Sequence, residues 1–212
     1  MIFRLDERLL FPDPELAEPD GLLAIGGDLS VKRLLLAYSH GIFPWYSEDT
    51  PILWYSPHER FVLYPSALKV SKSMRQVLRS GKFTVTVNQA FEQVISACAA
   101  VPREGQDGTW ITDDMQQAYI NLHRAGYAHS YEVWQQQELV GGLYGIAAGH
   151  VFCGESMFSK TSNASKTALI TLCQTQQYEL IDCQVHTEHL ESMGARHISR
   201  KEYLQVLQNA TS

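Results

Sequence analysis

Between residues 130 and 156 the chain carries three strand patterns in immediate succession, at 130–135, 139–147 and 151–156, the last two joined by a tight turn at Ala148-Gly149. A hairpin-rich sheet is implied, and the flanking segments say what packs on it. Phe83, Val85 and Val87 alternate with Thr84 and Thr86, the period-2 signature of a half-buried strand. Asn88 can cap a helix running to about residue 100. Thr112 can cap a second, striped by Met115, Ala118, Tyr119 and Leu122 and closed by Gly126. Downstream, Asn163 can cap a helix over 164–177, residues 180–185 read as a strand, and Ser199 can cap a last helix to about residue 208.

Residues 1 to about 60 are rich in turn formers and aromatics and read as a small, irregular N-terminal domain. It holds one clear helix over 31–39, capped by Ser30 and ended by Gly41. From residue 61 to 212 the order is strand, helix, helix, three strands, helix, strand, then a short strand and helix. That order resembles the GNAT-type acyltransferase fold, so the expected class is α+β, a small N-terminal domain followed by a GNAT-like domain with a mixed sheet. Folds of that type hold an activated acyl donor in a splayed cleft and offer it to an amine.

Composition excludes several classes. Of 212 residues, 45% are hydrophobic and 19% charged, which is globular rather than disordered usage. No apolar run reaches the roughly 18 residues of a membrane span, and the start lacks the layout of a signal peptide, so a cytoplasmic location is expected. Cys98, Cys153, Cys173 and Cys183 form no C-x-x-C pair and read as reduced thiols. The net charge of −6 argues against indiscriminate coating of nucleic acid while leaving room for a local basic patch.

Two motifs are near misses. In the segment from Gly154 to Thr161, Ser159 replaces the second glycine of a P-loop, without which the backbone amides do not turn onto a phosphate. Cys183, His186 and His189 have spacings of three, at which the side chains diverge on one element, so no metal and no cofactor is expected. Lys69, Lys72, Arg75, Arg79 and Lys82 step by threes and fours with no acidic residue among them. They form either a solvated helical face or a footprint for a phosphate backbone. Gly141, Gly142 and Gly145 within one strand mark a bulge or a close approach, and the facing strand adds Phe152, Glu155 and Met157. That hairpin can make an apolar pocket with a carboxylate beside it. Asp182 and Gln184, two apart on a strand, point the same way; they either serve a site or satisfy each other in the core.

Longer motifs resemble one family closely, the bacterial leucyl/phenylalanyl-tRNA–protein transferases. They include Gly21-Leu22-Leu23-Ala24-Ile25-Gly26-Gly27-Asp28-Leu29-Ser30, Gly41-Ile42-Phe43-Pro44-Trp45 and Gly108-Thr109-Trp110-Ile111-Thr112. Phe152-Cys153-Gly154-Glu155-Ser156-Met157-Phe158-Ser159, Ala164-Ser165-Lys166-Thr167-Ala168-Leu169 and Ile181-Asp182-Cys183-Gln184 follow in order. The resemblance implies transfer of Leu, Phe and less readily Met from charged tRNA to proteins beginning with Arg or Lys, marking them for degradation. It implies that Leu143, Phe152, Met157, Leu169, Leu172 and Ile181 line the donor side-chain pocket. Trp45 and Trp110, with Tyr38 and Tyr119 nearby, would hold the terminal adenosine, and Asp182 and Gln184, with Glu155, would form the catalytic set. Tyr55, Tyr131, Leu143 and Leu172 depart from the residues usual in that family, which bears on pocket shape. An acetyl-coenzyme A-dependent transferase would need a Q/R-x-x-G-x-G/A loop, which is missing. A non-catalytic tRNA-binding module would need the aromatics and the basic stripe but not Asp182 and Gln184.

Overall fold

The N-terminal stretch is more regular than its turn-rich sequence suggests. In the computed structural model, which describes residues 2–101 and 110–209, β1 (Phe3–Leu5), β2 (Leu22–Gly26), β3 (Phe43–Pro44) and β4 (Leu53–Tyr55) form a four-stranded sheet ordered β1-β2-β4-β3. Strands this short, set among Gly and Pro, carry too few residues to display a period. The helix α1 (Val31–Ser39) lies between β2 and β3, and Ser30 accepts at its start from the Arg33 amide at 3.3 Å.

The second sheet has seven strands in the order β11-β5-β10-β9-β8-β7-β6. Its elements are β5 (Glu59–Leu63), α2 (Lys72–Arg79), β6 (Thr84–Val87), α3 (Phe91–Ala99), α4 (Asp113–Arg124), β7 (Ala128–Gln135), β8 (Glu138–Ala148), β9 (Val151–Ser159), α5 (Ala164–Gln174), β10 (Leu180–Gln184), α6 (Glu188–Ser192), β11 (Arg196–Ser199) and α7 (Arg200–Asn209). The elements read from the sequence after residue 61 occur in the order expected, in a mixed α+β arrangement, with β5, α2 and α6 added to them. All neighbours in this sheet are antiparallel except β9 and β10, which run parallel. No helix among the described residues is long and apolar enough to cross a membrane.

The two faces of β8 divide the core, with a register shift against β7 at Val140 that interrupts strict alternation. Tyr144 and Ile146 face one apolar cluster with Val94 and Ile95 of α3, Leu122 of α4 and Leu34 of α1, so the N-terminal helix shares a core with the large sheet. Val140 and Leu143 face the other cluster, with Ala168 and Leu169 of α5. The glycines of β8 set the packing distances: a Cβ on Gly141 would lie 2.5 Å from that of Ala164, and one on Gly145 would meet the Cys153 carbonyl oxygen at 2.2 Å. Gly145 also sits at a register shift against β9.

Several expectations are corrected. Asn88 does not cap α3. It has φ +60° and its side chain accepts from the Ser130 amide, while buried Glu132 accepts from the Ala90 amide at 3.4 Å, a carboxylate placed at the helix N-terminus where it is favoured. Asn163 stands at the start of α5 in the left-handed region without a capping bond, and the Ser159 hydroxyl accepts from the Ser165 amide instead. The tight turn falls one residue later than expected, at Gly149-His150. The basic stripe does not run along one helix: α2 holds Lys72, Arg75 and Arg79, while Lys69 and Lys82 flank it, and all five are exposed. The segment that mimics a P-loop is extended strand through Ser159.

Gly145→Ala should destabilise the fold by about 3 kcal/mol or more, because backbone rather than a flexible side chain blocks the new methyl. Denaturant unfolding checks this, and a midpoint equal to that of the parent chain would contradict the packing described.

Candidate active site

The parallel pair β9 and β10 is hydrogen-bonded only through Cys153 opposite Asp182; past that point the strands part. The parting has a local cause. Gln184 adopts φ +60°, and the register of β10 against β5 shifts between Asp182 and Gln184, so β10 is turned out of plane there. Strict alternation would have aligned Asp182 and Gln184, but the bulge is what sets their relation: the Gln184 amide donates to Asp182 Oδ1 at 2.9 Å.

A cavity of about 640 Å³ opens at this gap. Its apolar wall is Leu143, Phe152, Met157, Leu169, Leu172 and Ile181, and Trp45, Trp110, Glu155, Asp182 and Gln184 also line it. The structure therefore brings together the six residues expected around the donor side chain, both tryptophans and the three polar candidates. Trp45 is 45% exposed and meets Tyr55 edge-on at 5.8 Å. Of the motif that contains Trp110, Gly108 and Thr109 lie outside the described residues. Phe43, Tyr55, Val185 and Leu190 line the cavity too and were not singled out by sequence. The aromatic concentration at residues 42–55 was the available signal for the first two.

Glu155 is 7% exposed and has only neutral partners. Tyr38 donates to its Oε1 at 2.7 Å, Tyr119 to its Oε2 at 3.1 Å, and Gln184 Nε2 to Oε1 at 3.1 Å; the two phenol oxygens are 2.5 Å apart. The carboxyl is pushed up to about 7: burial raises it most, the hydrogen bonds from the two tyrosines and Gln184 pull it down, and the charge of Asp182 adds to the rise. Tyr38 and Tyr119 thus sit beneath the cavity rather than on its wall. Both are buried, so in this structure neither ring has an open face for a base, and their hydroxyls carry Glu155. Burial raises both phenols well above their ordinary value, so they stay donors.

Asp182 is fully buried and ion-paired to Arg60, itself 1% exposed. Arg60 also donates to the Gly41 carbonyl at 2.8 Å. An arginine at the head of the apolar run Phe61-Val62-Leu63 was a sequence signal for this pair. No group of three His, Cys, Asp or Glu among the described residues could hold a metal ion. His186 instead pairs with Glu191 at 2.9 Å and meets Phe61 edge-on, while His189 borders the cavity.

Residues 62–208 match the family model described as leucyl/phenylalanyl-tRNA protein transferase, and residues 27–58 match the model of its N-terminal domain. Among similar curated proteins, the leucyl/phenylalanyl-tRNA–protein transferase of Syntrophobacter fumaroxidans is 58% identical over 209 residues, covering 97% of this chain and 89% of that protein. Its counterpart in Flavobacterium johnsoniae is 54% identical over 211 residues, covering 98% and 100%. Solved structures give weak likenesses only. They include FemX, at 10% identity and TM-score 0.45, covering 82% of this chain and 70% of that one. A GCN5-related N-acetyltransferase from Kribbella flavida has 11% identity and TM-score 0.39, covering 77% and 62%.

The raised carboxyl of Glu155 has a signed consequence for stability. Between about 4.5 and about 7 the folded protein holds a proton that the unfolded chain releases, so this group favours folding at low pH and the advantage is lost as pH rises through that window. Glu155→Gln should flatten the fall in melting temperature across that window. Parallel pH curves for the two proteins would show that Glu155 ionises normally.

Proposed function

The chain belongs to the leucyl/phenylalanyl-tRNA–protein transferase family, and from that premise we propose that it moves Leu, Phe and less readily Met from charged tRNA onto the α-amine of cytoplasmic proteins that begin with Arg or Lys, marking them for degradation. It is an aminoacyltransferase. The observation that carries the site assignment is the apolar cavity with Glu155, Gln184 and Asp182 together on its lining and two tryptophans beside them. We divide the chain into a small N-terminal domain to about residue 60 and a catalytic domain from residue 61.

In this reading the donor's side chain enters among Leu143, Phe152, Met157, Leu169, Leu172 and Ile181. Leucines and a methionine adapt to Leu, Phe or Met, and exclude β-branched side chains by shape, although one methylene is worth only about 1–3 kcal/mol. Trp45 and Trp110 enclose the terminal adenine, and Lys69, Lys72, Arg75, Arg79 and Lys82 meet the tRNA backbone without reading its sequence. Tyr38 and Tyr119 serve the adenosine end indirectly, by holding Glu155.

The acceptor arrives as an ammonium with a pKa of about 8, so one proton must leave before attack. Glu155, held near neutrality, takes that proton, and the Gln184 amide oxygen accepts from the amine and aims it. The nitrogen lone pair then forms a bond to the ester carbonyl carbon. The carbon–oxygen bond to the ribose breaks, and the ribose oxygen leaves with the electron pair and takes up the proton that the nitrogen sheds as the amide forms. Conversion of an activated ester to an amide runs downhill, so positioning supplies most of what is needed.

Purified protein, labelled Phe-tRNA and a peptide starting with Arg should yield a Phe-Arg peptide bond; absence of that product would overturn the proposal. In the same assay Trp110→Ala should raise the KM for Phe-tRNA roughly tenfold, the loss of one base stack. Arg75→Ala with Arg79→Ala should flatten the salt dependence of tRNA binding. An unchanged KM or an unchanged salt slope removes the corresponding contact.

A further inference from the structure

Arg60 is a buried cation beside the site that neither the cavity nor the transfer chemistry accounts for. A buried ion pair is weak evidence of stability, because taking both charges out of water offsets most of their attraction. What such a pair does well is fix a geometry, and here the fixing is elaborate. The Arg60 guanidinium lies 4.9 Å from the ring centroid of Phe43 in β3 and 4.4 Å from that of Tyr203 in α7. One arm donates to the Gly41 carbonyl and the other pairs with Asp182 Oδ2. Gly41 is itself fitted to this approach: it has φ +68°, and a Cβ there would come within 2.8 Å of Leu204. Burial opposes the charge on Arg60, but Asp182, Tyr203 and Cys153 beside it together outweigh that and keep the guanidinium charged.

The other oxygen of Asp182 accepts from the Gln184 amide at the bulge, and Gln184 Nε2 reaches Glu155 at 3.1 Å. A continuous path thus runs from Arg60 through Asp182 to the two groups that line the cavity gap. We propose that Arg60 is a positioning residue for aminoacyl transfer: held between Phe43 and Tyr203, it orients Asp182, which locks the Gln184 bulge and so sets where Gln184 and Glu155 meet the amine. Only a planar fork satisfies two acceptors while filling a slot between two rings, so lysine is no equivalent here. The clamp draws one ring from the N-terminal sheet and one from the last helix, so both ends of the chain contribute to the alignment.

This inference rests on the transfer reading above, and the test separates the two. Steady-state transfer from Phe-tRNA to an Arg-starting peptide is measured for the parent chain, Arg60→Met, Asp182→Asn and the double variant, with melting temperatures recorded for each. Arg60→Met should lower kcat on the order of 100-fold, as a displaced reacting group does, with the KM for Phe-tRNA changed far less, because Arg60 is not itself on the cavity lining and meets it through Phe43 and Asp182. The double variant should be no slower than Asp182→Asn alone, since both changes break one path. If Arg60→Met does not fold, Arg60→Lys replaces it in the cycle with the same expectations. Transfer by the parent chain with kcat unchanged in the Arg60 variant, or with losses that multiply in the double variant, overturns the positioning role alone. KM rising in step with the loss of kcat and of melting temperature would also overturn it, as a purely structural effect. No transfer by the parent chain would instead overturn the proposed function.

Discussion

A carboxylate buried without a cation beside it is the constraint around which the site is organised. Glu155 is surrounded by two phenols and an amide, donors that stabilise its charge but do not cancel it. An isolated charge in such a place is costly, so the group titrates near neutrality and can exchange a proton at physiological pH. Everything that carries it must be in register at once: α1 supplies Tyr38, α4 supplies Tyr119, β9 supplies Glu155 and the bulge of β10 supplies Gln184. This explains why the N-terminal helix shares a core with the large sheet.

The neighbouring carboxylate has the opposite environment. Asp182 is equally buried but is paired with a guanidinium, which fixes its place beside the bulge of β10. The two carboxylates thus have different partners, neutral donors around one and a cation beside the other, which is what divides their tasks in the proposed transfer. The parting of β9 from β10 puts both beside an apolar cavity, a combination suited to an aminoacyl ester with an apolar side chain at one end and a reacting carbonyl at the other.

The sequence made the region from residue 112 onward legible because its elements are long and periodic. Thr112 caps α4 as read, and the hairpin of β8 and β9 appears with its glycines at close approaches. The small sheet was not legible because β3 has two residues and β1 and β4 three, too few for alternation to emerge from Pro and Gly. The short strand β5 was missed because its charged start, Glu59-Arg60, looks like a surface, whereas Arg60 is buried against Asp182. Asn88 has the residue type of a cap, but a distant side chain, Glu132, does the capping, and no local pattern encodes that. Tyr38 and Tyr119 were named near the adenosine end; on a helical stripe nothing distinguishes a tyrosine that packs from one that holds a carboxylate, and the structure gives both the second task. The direction of Gln184 also escaped, because simple alternation does not anticipate a left-handed residue in a strand.

The proposed transfer chemistry depends on the ionisation of Glu155, which can be observed directly. Carbon-13 labelling of glutamate side chains, with Glu155 assigned by comparison with Glu155→Gln, lets its carboxyl carbon be followed by NMR as pH is raised. A titration midpoint at about 7 is what the buried, neutrally partnered environment requires. A midpoint at the ordinary glutamate value of about 4.3 would contradict it, leaving a carboxylate ionised throughout and no poised proton acceptor at this site.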